Sequence, residues 1–336
     1  MSSRTLALAA ATLFAGSCGA PGPEPVLPGF EELDREKAAA PRVDRVGPQR
    51  PRAAEKPTGA LTATNGGPDS PILPNDPEAR RIGRAILDCD THLRTWSNLM
   101  AQPRDEANQE KIGALSIALG MVVAKNRAIL EAQAISGSPR NRGIASAALG
   151  FSGDASVLPY LVNNTADADP LVVSKALLGL GVLAAPETPI APVYDAIAGG
   201  VAPQGVMSNA AFALFQIAIK TKTDPDGGMA AAFVLLLQNP DPTVRAQAAL
   251  GLGLVRANQI LPELTDLLAA DPEPAVRTAA AYSLGQIGAR NSTAPLVRAL
   301  SDPDDVTAGT ARASLKRIHG KDLGPDAASW RAVEPR

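Results

Sequence analysis

The chain has 336 residues, of which 45% are hydrophobic, 20% charged and 3% aromatic, with a formal net charge of -2 and a pI near 5.8. That balance supplies a core built mainly of alanine and leucine, but no clustered excess of Lys and Arg, so nucleic acid is excluded as a partner. Two cysteines, Cys18 and Cys89, and two histidines, His92 and His319, are too few for a disulfide framework or a metal centre, and neither metal nor cofactor is expected.

Residues 1–17 place Arg4 before an apolar run from Leu6 to Ala15 and end on the small residues Gly16 and Ser17. This is the grammar of a signal peptide. The run is too short to span a bilayer, which needs ~20 residues. The cysteine that follows resembles the lipobox of bacterial lipoproteins, although Ala15 stands where that family more often has leucine. The resemblance implies that Cys18 carries a diacylglycerol and becomes the mature N-terminus, so that the protein is exported and anchored to the cell membrane or outer membrane. Gly19, with no Asp at that position, resembles the lipoproteins sent to an outer membrane.

Residues 18–76 hold the lipidated cysteine and a proline-rich linker, with Pro21, Pro23, Pro25, Pro28, Pro41, Pro48, Pro51, Pro57, Pro68, Pro71 and Pro74 among mixed charges. Such a stretch buries too little apolar surface to offset its ordering entropy and is expected to be a disordered tether. The root-mean-square span of a flexible chain of this length is ~40 Å.

From residue 77 onward the pattern changes. Pro240-Asp241-Pro242-Thr243-Val244-Arg245 recurs 32 positions later as Pro272-Glu273-Pro274-Ala275-Val276-Arg277. Leu-Gly or Leu marks one register at Leu119, Leu149, Leu180, Leu214, Leu252, Leu284 and Leu315. Each unit reads as a Pro or Asp-Pro turn, a helix rich in small apolar residues, a polar break and a second apolar helix. About six units cover residues 109–319, with an extra helix from Glu78 to Leu99 before them. Such helices cannot bury their apolar faces alone; stacked neighbours bury one continuous core. The fold class is therefore all-α, an α-solenoid of antiparallel helix pairs over residues 77–319, followed by a cap at 320–336 in which Trp330 folds back over the last unit.

The turn and helix at Asp271 to Gly288, Asp-Pro-x-Pro-x-Val-Arg continued by alanines and Leu-Gly-x-Ile-Gly, resemble the HEAT-like repeat family in the short form associated with phycobilin lyases. The resemblance weakens before Gly143 and around Met207, where the Asp-Pro turn and the arginine are missing. It implies Asp-Arg ladders between repeats, for which Arg245 and Arg277 beside Asp241 and Asp271 are the candidates. The segment Lys316 to Asp326 with Trp330 also looks like the tail of bacterial HEAT-like proteins.

No catalytic constellation is legible. Cys89 and His92 lie on neighbouring faces of one helix without a supporting cluster, and Asp88, Asp90 and Glu78 with Arg80, Arg81 and Arg84 read as a solvated charged face. Gly179-Leu180-Gly181 and Gly251-Leu252-Gly253 fall inside helices with no preceding strand, so they serve close packing and not phosphate binding. One feature exceeds the needs of the fold. Six positions after the equivalent Val172, Val206, Val244 and Val276 stand Leu178, Phe212, Leu250 and Tyr282, and four beyond these stand the apolar Val182 and Leu254 and the polar Gln216 and Gln286. An apolar stripe along the concave wall is the expected binding surface for a protein or peptide. The expected function is a non-catalytic, envelope-anchored scaffold. The alternatives are a structural envelope lipoprotein without a defined ligand, marked by a uniformly polar concave wall, and a chromophore-lyase-like repeat protein.

Overall fold

Asp76 starts the folded array: its carboxylate accepts the backbone N–H of Glu78 at 2.9 Å, and Pro77 fixes the first turn of the helix that follows. The computed structural model describes residues 76–102, 105–199 and 202–333. The expected signal peptide, Cys18 and the expected linker, all but Asp76, lie outside the described residues. Those that are described form fourteen α-helices joined by short 3-10 turns, without a strand among them.

The first two helices form a long hairpin, α1 over Pro77–Met100 and α2 over Glu106–Ser136. Trp96 of α1 pins it, donating from Nε1 to Ser116 Oγ at 3.0 Å and meeting Phe151 edge-on with ring centroids 5.3 Å apart. Here the expected unit around Leu119-Gly120 is corrected. Nothing between residues 106 and 136 breaks the chain, so one 31-residue helix, merely kinked at Asn126, runs through that register mark.

Five helix pairs follow: α3 (Pro139–Leu149) with α4 (Leu158–Asn164), α5 (Pro170–Leu183) with α6 (Ala191–Ala198), α7 (Gln204–Thr221) with α8 (Gly228–Leu236), α9 (Pro242–Leu254) with α10 (Leu261–Ala270), and α11 (Pro274–Ile287) with α12 (Thr293–Arg298). A sixth leading helix, α13 (Asp305–His319), is followed by the four-residue α14 (Ala327–Trp330). The odd-numbered helices α3 to α13 stack one on the next. Leu149, Leu180, Leu214, Leu252, Leu284 and Leu315 are each 0% exposed, so the repeating leucine is the axis of the core. Aspartates cap the proline-led starts: Asp169 accepts from the Leu171 N–H and Asp241 from that of Thr243.

The helical glycines set how closely the stack closes. A Cβ on Gly179 would lie 2.5 Å from the Ser146 carbonyl oxygen, and one on Gly253 or Gly285 would lie 2.9 Å from Cα of Ser283 or Ser314 in the next unit. Backbone meets backbone there, and side-chain repacking cannot make room. Gly179→Ala is therefore expected to lower stability by about 1–3 kcal/mol by overpacking. Gly113→Ala, in the open on α2 with nothing within 4 Å, is expected to raise it by about 0.5–1 kcal/mol. Denaturant unfolding of the two variants checks the contrast, and equal effects would dismiss the close-packing role.

Candidate functional site

The stripe expected on the concave wall is built from the leading helices, and the structure corrects its exposure. Leu178 on α5 is 8% exposed, Phe212 on α7 is 4% and Leu250 on α9 is 5%. The cause is the close approach set by glycine: the Phe212 ring sits where a Cβ on Gly181 would fall, 2.5 Å from its Cδ1, wedged between α5 and α7. Leu178 and Leu250 are likewise part of the buried core. Leu254 and Tyr282 stay half-buried on the successive helices α9 and α11. Burial pushes the Tyr282 phenol up to about 12, against the opposing pull of Arg317 and a hydrogen bond with Gln286. Apolar Val182 and Leu254 and a neutral phenol edged by Gln286 and Arg317 are thus the half-buried part of the stripe.

A ladder of ion pairs crosses the unit boundaries. Arg142 on α3 donates to Asp167 at 2.8 and 3.0 Å, Arg245 on α9 to Asp271 at 2.8 and 2.9 Å, and Arg277 on α11 to Asp302 at 2.9 and 2.8 Å. Each guanidinium also donates to a carbonyl at the turn preceding its own helix, on Gly137, Asn239 or Asp271. Each aspartate also accepts a backbone N–H two residues on, from Asp169, Glu273 or Asp304. Of the candidate ladder residues, Arg245 pairs with Asp271 across the unit boundary, whereas Asp241 caps its own helix. Arg277 likewise reaches Asp302, while Asp271 offers it only a carbonyl. Burial works to raise the Asp271 and Asp302 carboxyls, but the bidentate arginine and the backbone N–H outweigh it and hold both below the usual range. Asp167 is lowered first by its bond to Arg142.

The ladder breaks in the middle. Val173 and Met207 occupy the arginine position of α5 and α7, and neutral groups take over the joints. Asn209 donates to the Ser174 carbonyl and hydroxyl at 2.9 Å, and Gln204 donates to Asn239 Oδ1 at 3.1 Å. A local signal for the ladder existed in the sequence as Asp167-x-Asp169, Asp271-x-Glu273 and Asp302-x-Asp304.

The other candidate groups serve packing. Cys89 is 0% exposed, and burial followed by the nearby Asp88 charge pushes its thiol up to about 12, the opposite of what a nucleophile requires. His92 bonds through Nδ1 to the Asp88 carbonyl at 2.7 Å. Asp90 pairs with Arg94 at 2.9 Å and with Arg140 on α3 at 2.9 Å, so the acidic residue read as solvated ties α1 to the first repeat. Fifty residues separate Asp90 from Arg140, and no local pattern announces the pair. Trp330 is 0% exposed and donates from Nε1 to the Gly324 carbonyl at 2.8 Å, as a cap does.

Stacked antiparallel helix pairs with a leucine axis and an Asp-Arg ladder between units define a helical-repeat scaffold. Residues 230–316 match the family model for HEAT repeats, and the described residues form an all-α solenoid. Among solved structures it is similar to human deoxyhypusine hydroxylase in complex with glycerol, at 21% identity over 73% of this chain and 96% of that one, with a TM-score of 0.35. It is also similar to the Escherichia coli protein YibA, at 18% identity, 73% and 90% coverage and a TM-score of 0.45. The complex of CpcE and CpcF of phycocyanin lyase from Nostoc is a third, at 16% identity, 84% and 98% coverage and a TM-score of 0.35. No curated protein matches the chain.

Proposed function

We propose that the solenoid is a non-catalytic scaffold, held at a membrane by a lipid on Cys18, that receives a protein or peptide against the half-buried patch of Leu254 and Tyr282. The observation that carries this reading is the division of labour in the stripe. Leu178, Phe212 and Leu250 are buried in the core, whereas Leu254 and Tyr282 are only half-buried, Tyr282 beside the polar ends of Gln286 and Arg317. A half-buried tyrosine with a polar rim is the composition of an anchor point in a protein interface.

One experiment tests both halves. The full chain, with a photocross-linking residue in place of Leu254, is expressed and its membrane fraction irradiated. Intact mass should show a lipid adduct that disappears in Cys18→Ser. Irradiation should give an adduct of discrete mass that Tyr282→Asp abolishes at unchanged helical signal. Phe212→Asp, in contrast, should lose helicity, because that ring lies between units. An unlipidated soluble protein removes the anchor, and cross-linking indifferent to Tyr282→Asp removes the patch.

A further inference from the structure

Away from Leu254 and Tyr282, cations from α1, α3 and α5, which stack in turn, gather around one carboxylate. Asp90 on α1 accepts from Nε and Nη2 of Arg94 at 3.1 and 2.9 Å and from Nη2 of Arg140 on α3 at 2.9 Å. Its side chain is 14% exposed, whereas those of Arg94 and Arg140 are 73% and 62% exposed, so the acid is the floor and the guanidiniums face solvent. The third cation is Lys175 on α5. Its stem crosses α3 where that helix is bare: a Cβ on Gly143 would lie 3.5 Å from Lys175 Cγ and 3.6 Å from its Cβ. Arg140 stands three residues before Gly143, on the same face of α3. Lys175 is half-buried, and burial lowers its ammonium from the ordinary lysine value, with Asp90 pulling the other way and Arg94 adding to the lowering. Among the described residues it makes neither a hydrogen bond nor an ion pair.

We propose that Arg94, Arg140 and Lys175 form an oxyanion site for a phosphate monoester group. Three observations carry it. First, three cations against one carboxylate leave an excess of two positive charges. A phosphate monoester, with a charge of about -1.5 to -2 at pH 7, is its complement, whereas a single carboxylate would neutralise half of it. Second, donors are left over. Asp90 engages two nitrogens of Arg94 and one of Arg140, so three guanidinium nitrogens and the ammonium stay uncommitted among the described residues. The carboxylate beneath holds both guanidiniums in place, and forked donors beside a compact ammonium suit the oxygens of a phosphoryl group. Third, the repeat does not call for Lys175. Three positions after the equivalent Val206, Val244 and Val276 stand Asn209, Gln247 and Ala279, none of them charged. Asp90 and Arg140 already tie α1 to α3, and a half-buried ammonium without a partner costs stability until an anion meets it.

The test titrates the full chain carrying Cys18→Ser, so that no lipid on the protein contributes, with phenyl phosphate in a calorimeter at fixed ionic strength. One saturable site per chain is expected. Binding should weaken roughly tenfold in Lys175→Met, which keeps the stem over Gly143 and removes the charge, and again in Arg140→Gln, both at unchanged circular dichroism. Benzoate, a single carboxylate on the same ring, should bind more weakly than phenyl phosphate. Vesicles of phosphatidylcholine and phosphatidic acid then locate the group: co-sedimentation that Lys175→Met abolishes puts it on a lipid headgroup, and a parent left in the supernatant puts it on a soluble compound. Titration without saturation overturns the proposal, as does saturation that Lys175→Met leaves unchanged, or benzoate binding as tightly as phenyl phosphate. Neither Leu254 nor Tyr282 belongs to the cluster, so failure of this site leaves the partner patch standing.

Discussion

Asp271→Ala lowers the unfolding free energy by about 3 kcal/mol, the cost of removing one member of a buried ion pair reduced for the solvent that still reaches its partner. The Asp271 side chain is 4% exposed and that of Arg245 14%. The lost carboxylate accepted two guanidinium bonds and the Glu273 N–H, and the guanidinium it leaves keeps bonds only to the carbonyls of Asn239 and Pro240. A change of this size shifts Tm by roughly 6–12 °C in a domain of this length. Replacing both partners, Asp271→Leu with Arg245→Leu, recovers part of the loss, because no unpaired charge remains. Arg312→Ala provides the exposed control. It pairs with Asp322 at side-chain exposures of 41% and 33%, and its removal costs about 0–1 kcal/mol. Thermal melts of the four proteins check the order, and an Asp271→Ala effect no larger than that of Arg312→Ala would show that the ladder contributes little.

The same pairs fix the acid response. Asp167, Asp271 and Asp302 have carboxyls held below their ordinary value in the fold. Their contribution is present in full above the unfolded carboxylate value of ~3.9 and is lost as pH falls through the lower folded values. Acid melts of the Asp271→Ala protein should therefore show a shallower loss of stability below about pH 4 than the parent.

Trp330→Ala removes the largest fully buried side chain of the array. A tryptophan-to-alanine change in a core costs about 3–5 kcal/mol, and in a one-dimensional stack the loss falls on the nearest layer. Hydrogen exchange should accelerate in α12 and α13, with α5 to α9 left as protected as before. Trp330→Phe keeps most of the buried ring but loses the bond from Nε1 to Gly324, at a cost of about 1 kcal/mol. Acceleration spread evenly over every unit would mean that the tail supports the whole array and does not merely cap it.

How much could be read beforehand depended on whether the signal was local. A leucine before a glycine and an Asp-Pro turn before a helix are each local, so the units at Leu180, Leu252 and Leu284 were legible one by one, whereas Leu214, which has neither, was placed by spacing alone. Leu119-Gly120 carried the first mark without the second, and only the missing turn separated a repeat from the middle of α2. The missing Cβ of Gly120 instead lets the Phe151 carbonyl approach, 3.2 Å from where a Cβ would be. The partner stripe failed for a different reason. Hydrophobicity at Leu178, Phe212 and Leu250 was plain, but exposure depends on how near the next helix comes, and that distance is set by Gly181 and its counterparts on another helix. Asp90 and Arg140 meet only because α1 lies against α3, a fact that no stretch of sequence between them records.

The gap in the ladder has a mechanical meaning. Bonds in a stacked array act in series, so tension along it is felt equally at every joint and the least resistant joint opens first. On either side of the centre the joints are cross-braced by bidentate ion pairs, at Arg142 with Asp167 and at Arg245 with Asp271. Between α7 and the α8–α9 turn the brace is the single amide of Gln204, hydrogen-bonded to Asn239 and Asp241. Stretched along its axis, the array would part there into two stiff blocks, taking up slack as a hinge does and not as a coil spring.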